Sequence, residues 1–547
     1  MQWWREARLG MFIHWGLYCV PAGTWAGKRV QGLGEWIMQT AKITVEDYTQ
    51  LAAQFEPVEF HADQWVSIAK SAGMKYIVIT AKHHDGFAMY QSRVDKFNMY
   101  DATPFRRDPI AELAHACKRH GLKLGVYYSH TQDWTHPGGG VVGGKWDNAQ
   151  RGDAANYLTT VAIPQIKEIL TRFRPAIMWW DTPVNEPVEA AVIHDLLKLC
   201  PEIITNDRLG GGYEGDFKAP VQFSPFTMRT KMDWEAHVSM NDTWGHKPFD
   251  NNYKSAETLL RSVIQTASNG GNFLLNISPT DQGIIPPQQI DRLKFIGNWL
   301  KVNGRAIYGT TAGPYRRLSF DGCTTVKDNV LYLHVFKWPE SELKLPGLET
   351  PIVSANALAT GQRLTTYRHG DGGREIARPE VLDPVATVIE LKLSGPPVVN
   401  ETAFAIEPDK NGVIALRAKD ASLTGSMIVL EGMPDAENIG YWMDPTATVH
   451  WYINVPDNHA PEYRVEVEFS CFAGMQGSRY AIEIDDGDTG VDGFVSDTTT
   501  WENYRTVTLE KGLTLKPGIH KLQIVVLSKP SFGIMNLRTV SLLPFAG

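Results

Sequence analysis

Between residue 8 and about residue 310 the chain gathers its apolar residues into short continuous runs, each followed by a cluster of polar and aromatic side chains. Met11-Phe12-Ile13 leads into His14-Trp15-Gly16, residues 76–80 into Lys82-His83-His84-Asp85-Gly86, residues 122–126 into Tyr127-Tyr128-Ser129, and residues 176–178 into Trp179-Trp180-Asp181. Strands covered on both faces read as such runs, whereas half-exposed strands alternate. Between the runs lie stretches with apolar spacing of three and four, which predict helices over 62–72, 109–120, 157–173, 188–199, 256–267 and 286–300. Gly73 and Gly121 stand where helix C-caps belong. Alternation of buried strands with amphipathic helices predicts an α/β fold, a (β/α)8-like catalytic barrel over residues 1–312. From 206 to 253 the pattern weakens into a Gly-rich, aromatic stretch, so one or two barrel units are expected to be irregular, with long loops over the site.

After Gly309 the grammar changes. Short strands such as 330–335 and 388–391, separated by Gly and Pro turns, predict an accessory β-sandwich over 313–405. The runs 449–455, 463–469 and 520–526 predict a second all-β sandwich over 406–547.

Composition narrows the function. The formal net charge of -8 gives no reason to expect nucleic acid or an anionic membrane as partner, and no apolar run approaches the roughly 20 residues of a membrane span. Five scattered cysteines without CxxC spacing offer neither a disulfide framework nor a zinc site. Seventeen Trp and nineteen Tyr favour a sugar ligand, because aromatic faces stack on the apolar faces of sugar rings while their polar tips bond hydroxyls.

In a barrel the reactive groups sit where the strands end, which makes Asp181, behind Trp179 and Trp180, the leading candidate carboxylate. The alternative is an Asp capping the turn Thr182-Pro183. A glycosidase needs a second carboxyl group, about 5 to 5.5 Å away for retention and roughly 6.5 to 9.5 Å for inversion. Asp233-Trp234-Glu235 offers Glu235, whose aromatic neighbour would raise its pKa; Glu35 before Trp36, and Glu214, are its rivals. Adjacent strand residues point to opposite faces, so His83-His84 reads poorly as a metal pair and better as hydrogen-bonding groups, with His14 and Tyr128 converging from other strand ends. Residues 139–145 match the start of a phosphate loop, but Trp146 stands where Ser or Thr must follow, so the segment reads as a loop.

Taken together, Arg8-Leu9-Gly10-Met11-Phe12-Ile13-His14-Trp15-Gly16, Ala72-Gly73-Met74-Lys75-Tyr76, Ala81-Lys82-His83-His84-Asp85-Gly86-Phe87, Arg107-Asp108-Pro109, Gly125-Val126-Tyr127-Tyr128-Ser129, Gly270-Gly271-Asn272-Phe273-Leu274-Leu275-Asn276 and the run from Asn298 to Tyr308 resemble glycoside hydrolase family 29, the α-L-fucosidases. The resemblance covers roughly residues 3–312. It implies a retaining, exo-acting enzyme that removes terminal α-L-fucose from oligosaccharides or glycoconjugates, needs no cofactor or metal, and is secreted or periplasmic, with Met1 in place of a leader. It implies Asp181 as nucleophile, Glu235 as acid/base, and sugar contacts from His14, Glu35, Trp36, His83, His84, Tyr128, Trp179 and Trp244. The sequence departs from the family where Gly215-Asp216-Phe217 is followed by Lys218-Ala219-Pro220-Val221 instead of a segment beginning Thr-Pro-Glu, and at His246, where Tyr is usual. The last unit, with Ile439-Gly440-Tyr441-Trp442 and Thr500-Trp501, resembles carbohydrate-binding jelly rolls. Hydrolysis of a related sugar such as an α-L-galactoside, and a catalytically silent sugar-binding protein, stand as alternatives.

Overall fold

The computed structural model describes residues 1–140, 144–220, 232–315, 317–368, 373–425, 427–431, 436–457 and 462–545. Among the described residues the barrel sheet has seven parallel strands: β1 (Leu9–Ile13), β2 (Tyr76–Lys82), β3 (Lys123–Ser129), β4 (Ile177–Asp181), β5 (Ile204–Thr205), β6 (Glu235–Val238) and β7 (Asn272–Ile277), in the order β5-β4-β3-β2-β1-β7-β6. Single parallel bridges, Asn206 to Phe217 and Lys218 to Trp234, then link the two edge strands. The Glu235 amide donates to Lys218 O at 2.9 Å, and the Lys218 amide to Asp233 O at 2.9 Å. Two residues thus do the work of an eighth strand. This is the irregular part that the weak pattern after residue 206 anticipated, and the departure from the family sequence that begins at Lys218 starts in it; Val221 falls outside the described residues.

The helices follow the periodicity and the caps. Helix α1 (Ala62–Ser71) buries Trp65, Val66 and Ala69, and α2 (Pro109–His120) starts on Asp108, whose side chain accepts from the Ala111 amide, and stops at Gly121 with φ 75°. The third helical stretch starts at Ala154, earlier than predicted, and widens to a π turn over Leu158–Ala162 before continuing as Ile163–Arg172. Pro164, which has no N–H to donate, stands just after the widening. Helices Pro187–Leu196, Ala256–Ser268 and Pro287–Asn303 complete the set, whereas no helix accompanies the bridge at 217–218 among the described residues.

Inside the sheet Phe12, Tyr76, Val78, Tyr127, Ile177, Trp179, Ile204, Phe217 and Leu274 pack into one apolar cluster. Gly10 matters here, because a Cβ at that position would lie 2.4 Å from the Tyr76 ring. Its absence lets Tyr76 lie across the floor of the barrel.

The contacts divide the chain into two units, the first ending at Gly309, the second running from Thr310 onward and also taking in residues 264–270. Within the second unit, an antiparallel sheet built on Asp321–Lys327, Val330–Lys337, Ile352–Ala357 and Thr387–Leu393 packs around Leu331, Leu333, Leu343 and Leu391. A further pair of sheets, which includes Thr448–Val455, Glu462–Ser470, Gly518–Ser528 and Asn536–Pro544, has its own core around Trp442, Trp451, Val465 and Leu537. Burial alternates residue by residue along Thr448–Val455, as expected of a strand with one covered face. No described helix is long and apolar enough to cross a membrane.

Candidate active site

Asp181 is the last residue of β4 and, with Trp179, points into the barrel mouth, two residues being the strand period. Tyr127 donates to Asp181 Oδ2 at 2.7 Å, Arg208 Nη1 to Oδ1 at 3.0 Å, and the Thr182 amide to Oδ1 at 3.0 Å. Thr182 sits at φ 63°, an unfavourable conformation for a β-branched residue. The amide contact it makes with Asp181 comes with about 1–3 kcal/mol of backbone strain.

Burial raises the Asp181 pKa, but His84, Arg208 and the Tyr127 hydroxyl together outweigh it, and the net direction is down. His84 lies 3.7 Å from Oδ2, yet burial lowers its own pKa to about 4 despite the Asp181 charge. Its ring is therefore neutral at neutral pH, and Arg208 is the cation that offsets the carboxylate. The result is an ionised carboxylate whose side chain keeps 22% exposure among the buried side chains of Tyr127, His84 and Trp179.

The histidines surround it. The β2 ladder shifts register between Thr80 and Lys82, and the strand ends there, which frees His83 and His84 from strand alternation. Both turn to the mouth, their rings 4.0 Å apart, with His83 stacked on Tyr127 at 5.4 Å and 13° and 5.6 Å from His14. Ser129 donates to Gln132 O at 2.7 Å, so it accepts from His84 Nδ1 at 2.7 Å and leaves His84 Nε2 an acceptor. Asn276 plays the same part for His14. Its Nδ2 donates to Trp244 O at 2.8 Å, and its Oδ1 accepts from His14 Nδ1 at 2.8 Å. Burial lowers the His14 pKa to about 4 and holds that of His83 well below its ordinary value. Neutral rings with one lone pair each suit sugar hydroxyls.

Aromatic walls complete the mouth. Trp244 lies 5.1 Å from His14, Trp36 5.4 Å from His84, and Trp179 5.7 Å from Tyr127, with the Arg208 guanidinium 4.8 Å above the Trp179 ring. Glu35 is buried beneath this layer and accepts from the Gly245 amide at 2.8 Å and Thr243 Oγ1 at 3.3 Å. Burial raises its pKa. It ties the loop carrying Trp36 to the loop carrying Trp244.

Two expected residues lie elsewhere. Tyr128 faces away from the mouth, donating to Gln165 Oε1 at 2.8 Å on the third helical stretch, with Lys82 Nζ 4.8 Å from its ring. Its neighbour Tyr127 holds the inward position, as the register with Trp179 requires. Glu235 begins β6, beside Asn272 at the lower end of β7, not at the mouth. It has no solvent exposure, and its carboxyl accepts from Tyr76 Oη and, at 3.0 Å, from Trp179 Nε1. His237, two residues and about 7 Å further up the strand, is the β6 residue that reaches the mouth, 5.2 Å from Trp179 and 3.4 Å from Arg208 Nη2. Burial lifts the Glu235 pKa to about 7, with the Tyr76 and Trp179 hydrogen bonds opposing. The aromatic environment expected to raise it is present, but Trp179 stands between Glu235 and the substrate space. Glu214 is solvent-exposed.

Tyr127, Arg208, His237 and Asn276 were not singled out in the sequence. Tyr127 was recoverable, since counting by two from Asp181 through Trp179 and across the aligned strands selects it over Tyr128. Arg208 sits in the stretch where periodicity fails, and only its place after the short run Ile203-Ile204-Thr205 marks it. Among the described residues, no three His, Cys, Asp or Glu side chains are grouped to hold a metal ion.

A family model described as alpha-L-fucosidase matches residues 1–305. The tissue alpha-L-fucosidase of Rattus norvegicus is 29% identical over 368 residues, 62% of this chain and 77% of that protein. The crystal structure of the alpha-L-fucosidase from Vibrio sp. strain EJY3 superposes with a TM-score of 0.73 at 27% identity, covering 99% of this chain and 97% of the other. A GH29 alpha-L-fucosidase from Bacteroides thetaiotaomicron, trapped as a covalent intermediate in complex with 2-fluoro-fucosyl fluoride, matches with a TM-score of 0.65 at 27% identity, covering 72% and 96%.

Proposed function

The chain belongs to the α-L-fucosidase family of glycoside hydrolases, and from that premise we propose that it removes terminal α-L-fucose from oligosaccharides or glycoconjugates with retention, using Asp181 as nucleophile. The observation that carries this reading is the Asp181 carboxylate, kept ionised by Arg208 and Tyr127 among three neutral histidines.

In the first step an Asp181 oxygen forms a bond to the anomeric carbon as the glycosidic C–O bond breaks, and the departing oxygen takes its proton from solvent water. In the second step, water adds to that carbon, passes one proton back to solvent and displaces the Asp181 carboxylate. Two inversions give back the α anomer. Arg208 and Tyr127 stabilise the free carboxylate before the first displacement and after the second. His14, His83 and His84 bond ring hydroxyls, and Trp244 and Phe12 offer apolar surface for the sugar's methyl group. Glu235 is read as a positioning residue. A proton donor must touch the leaving oxygen, and Glu235 touches Trp179 and Tyr76 instead. Residues 313–405 and 406–547 are read as separate β-modules outside this chemistry.

Hydrolysis of an aryl α-L-fucoside followed by proton NMR tests the reading. First-formed α-fucose, with turnover lost by orders of magnitude in Asp181→Asn, is expected. First-formed β-fucose would overturn the double displacement, and near-normal activity of the variant would overturn the nucleophile. An aryl α-L-galactoside assayed in parallel measures sugar preference.

A further inference from the structure

The strongest feature outside the barrel is a groove of about 670 Å³ in the C-terminal β-structure, within the roughly 300–1,000 Å³ of ligand pockets. Its walls carry Tyr441, Trp501, Tyr504 and Phe532 beside Glu431 and Arg538. Water normally drives such rings inward, yet Tyr441 is 50% and Phe532 70% exposed. Isolated exposed apolar residues need no explanation; several converging on one concavity do.

The backbone is bent to present them. Tyr441 adopts φ 47° and Thr499, two residues before Trp501, φ 74°, both left-handed positions that L-residues rarely take. Strain of about 1–3 kcal/mol at each persists where surrounding structure enforces it, and such positions cluster at binding sites. Trp501 is anchored through its carbonyl, which accepts from Ser470 Oγ at 2.6 Å, and its ring stacks with Phe472 at 6.4 Å and 27°.

The polar groups are held with equal care. Asn438 Nδ2 donates to Glu431 Oε1 at 2.9 Å. Arg538 lies 3.4 Å over the Tyr504 ring and donates through Nη1 to Glu468 at 3.2 Å, while its buried Nε has no partner. The Arg538 side chain as a whole keeps 33% exposure in the wall of the groove. Glu431 and Glu502 line the groove and Glu468 already pairs with Arg538, so the local charge disfavours an anion.

We propose that this groove is a second, non-catalytic glycan site that takes a neutral pyranose unit of an oligosaccharide. Aromatic faces stack on the sugar's C–H faces while Glu431 and Arg538 bond its hydroxyls. The site does not depend on the barrel's reaction, and its failure would leave the fucosidase reading untouched.

The test uses the full chain as Asp181→Asn on an array of neutral oligosaccharides, compared with the same chain also carrying Tyr441→Ala and Phe532→Ala. Both added substitutions are at exposed positions, and the conservative Trp501→Phe serves as a second variant that keeps a ring. The proposal expects at least one glycan whose retention falls tenfold or more in the double alanine variant and survives in Trp501→Phe. In the otherwise wild-type chain, the same alanines should leave turnover of a soluble aryl fucoside unchanged. No retained glycan, or retention equal with and without the alanines, would overturn it.

Discussion

Replacing Arg208 with Met removes the cation next to Asp181 while keeping a side chain of similar length against Trp179. Arg208 Nη1 donates to Asp181 Oδ1 at 3.0 Å, and the two side chains are only 15% and 22% exposed, so solvent screens the pair weakly. A hydrogen bond to a charged group contributes about 1.5–3 kcal/mol. At 1.36 kcal/mol per tenfold change in proton affinity, the acid limb of kcat/KM should move upward by about one to two pH units. The direction follows from linkage. A carboxyl whose folded pKa is depressed contributes stability above its unfolded pKa and loses it as pH falls through the folded value. R208M should therefore be less stable than the wild type near neutrality, and that deficit should shrink in acid. Arg208 also donates to Ala219 O at 3.0 and 2.6 Å, a loss that lowers stability at every pH and leaves the limb where it was. R208K, which keeps the charge without the fork, should shift the limb less. The assay is the pH profile of an aryl α-L-fucoside for the three proteins; an acid limb in R208M that coincides with the wild type's would refute the assignment of Arg208 as the charge that keeps Asp181 ionised.

Glu235→Gln should reduce turnover by the same factor for activated aryl fucosides and for substrates with poor leaving groups; selective loss on the poor leaving groups would restore Glu235 as the proton donor. Because the folded pKa of Glu235 is raised from 4.5 to about 7, the native state holds a proton that the unfolded chain releases, and stability falls as pH rises through that window by up to ~3 kcal/mol. Denaturant titrations at pH 5 and pH 8 should show a smaller decline in E235Q than in the wild type, and equal declines would contradict the buried, protonated carboxyl. Tyr127→Phe should lower kcat/KM at least tenfold, whereas Tyr128→Phe, which loses only its bond to Gln165, should keep activity within about twofold and cost about 1 kcal/mol of stability. The reverse ranking would mean the inward tyrosine has been misassigned.

Much of this site lies at positions the local pattern could mark. Asp181, His14, His83, His84 and Trp179 each follow an apolar run, and a strand end is where a barrel gathers its chemistry. Tyr128 went astray because the two adjacent tyrosines differ only in which face of β3 they occupy. Glu235 went astray for a related reason: β6 starts with the glutamate, so a residue placed beside Trp234 in a loop-rich stretch is in fact at the floor of the sheet. Nothing in Asp233-Trp234-Glu235 says at which end of its strand it lies. That is set by the ladder with Asn272 and by the bridge through Lys218.

Taken by itself, then, the amino-acid order determined the features that repeat locally: buried parallel strands, amphipathic helices with their Asp and Gly caps, the change to short β-strands after Gly309, and the strand-end clusters that hold the chemistry. Burial on two faces, helical periodicity and capping are short-range requirements, and each leaves a trace within a few residues. Tertiary structure alone decided which side chains meet. The Arg208 to Asp181 ion pair, the Asn276 bridge from His14 to Trp244, the burial of Glu235 beneath Trp179, and the two-residue rung at 217–218 all join residues distant in sequence. Their geometry depends on register and on closure of the sheet, and neither is written in any single segment.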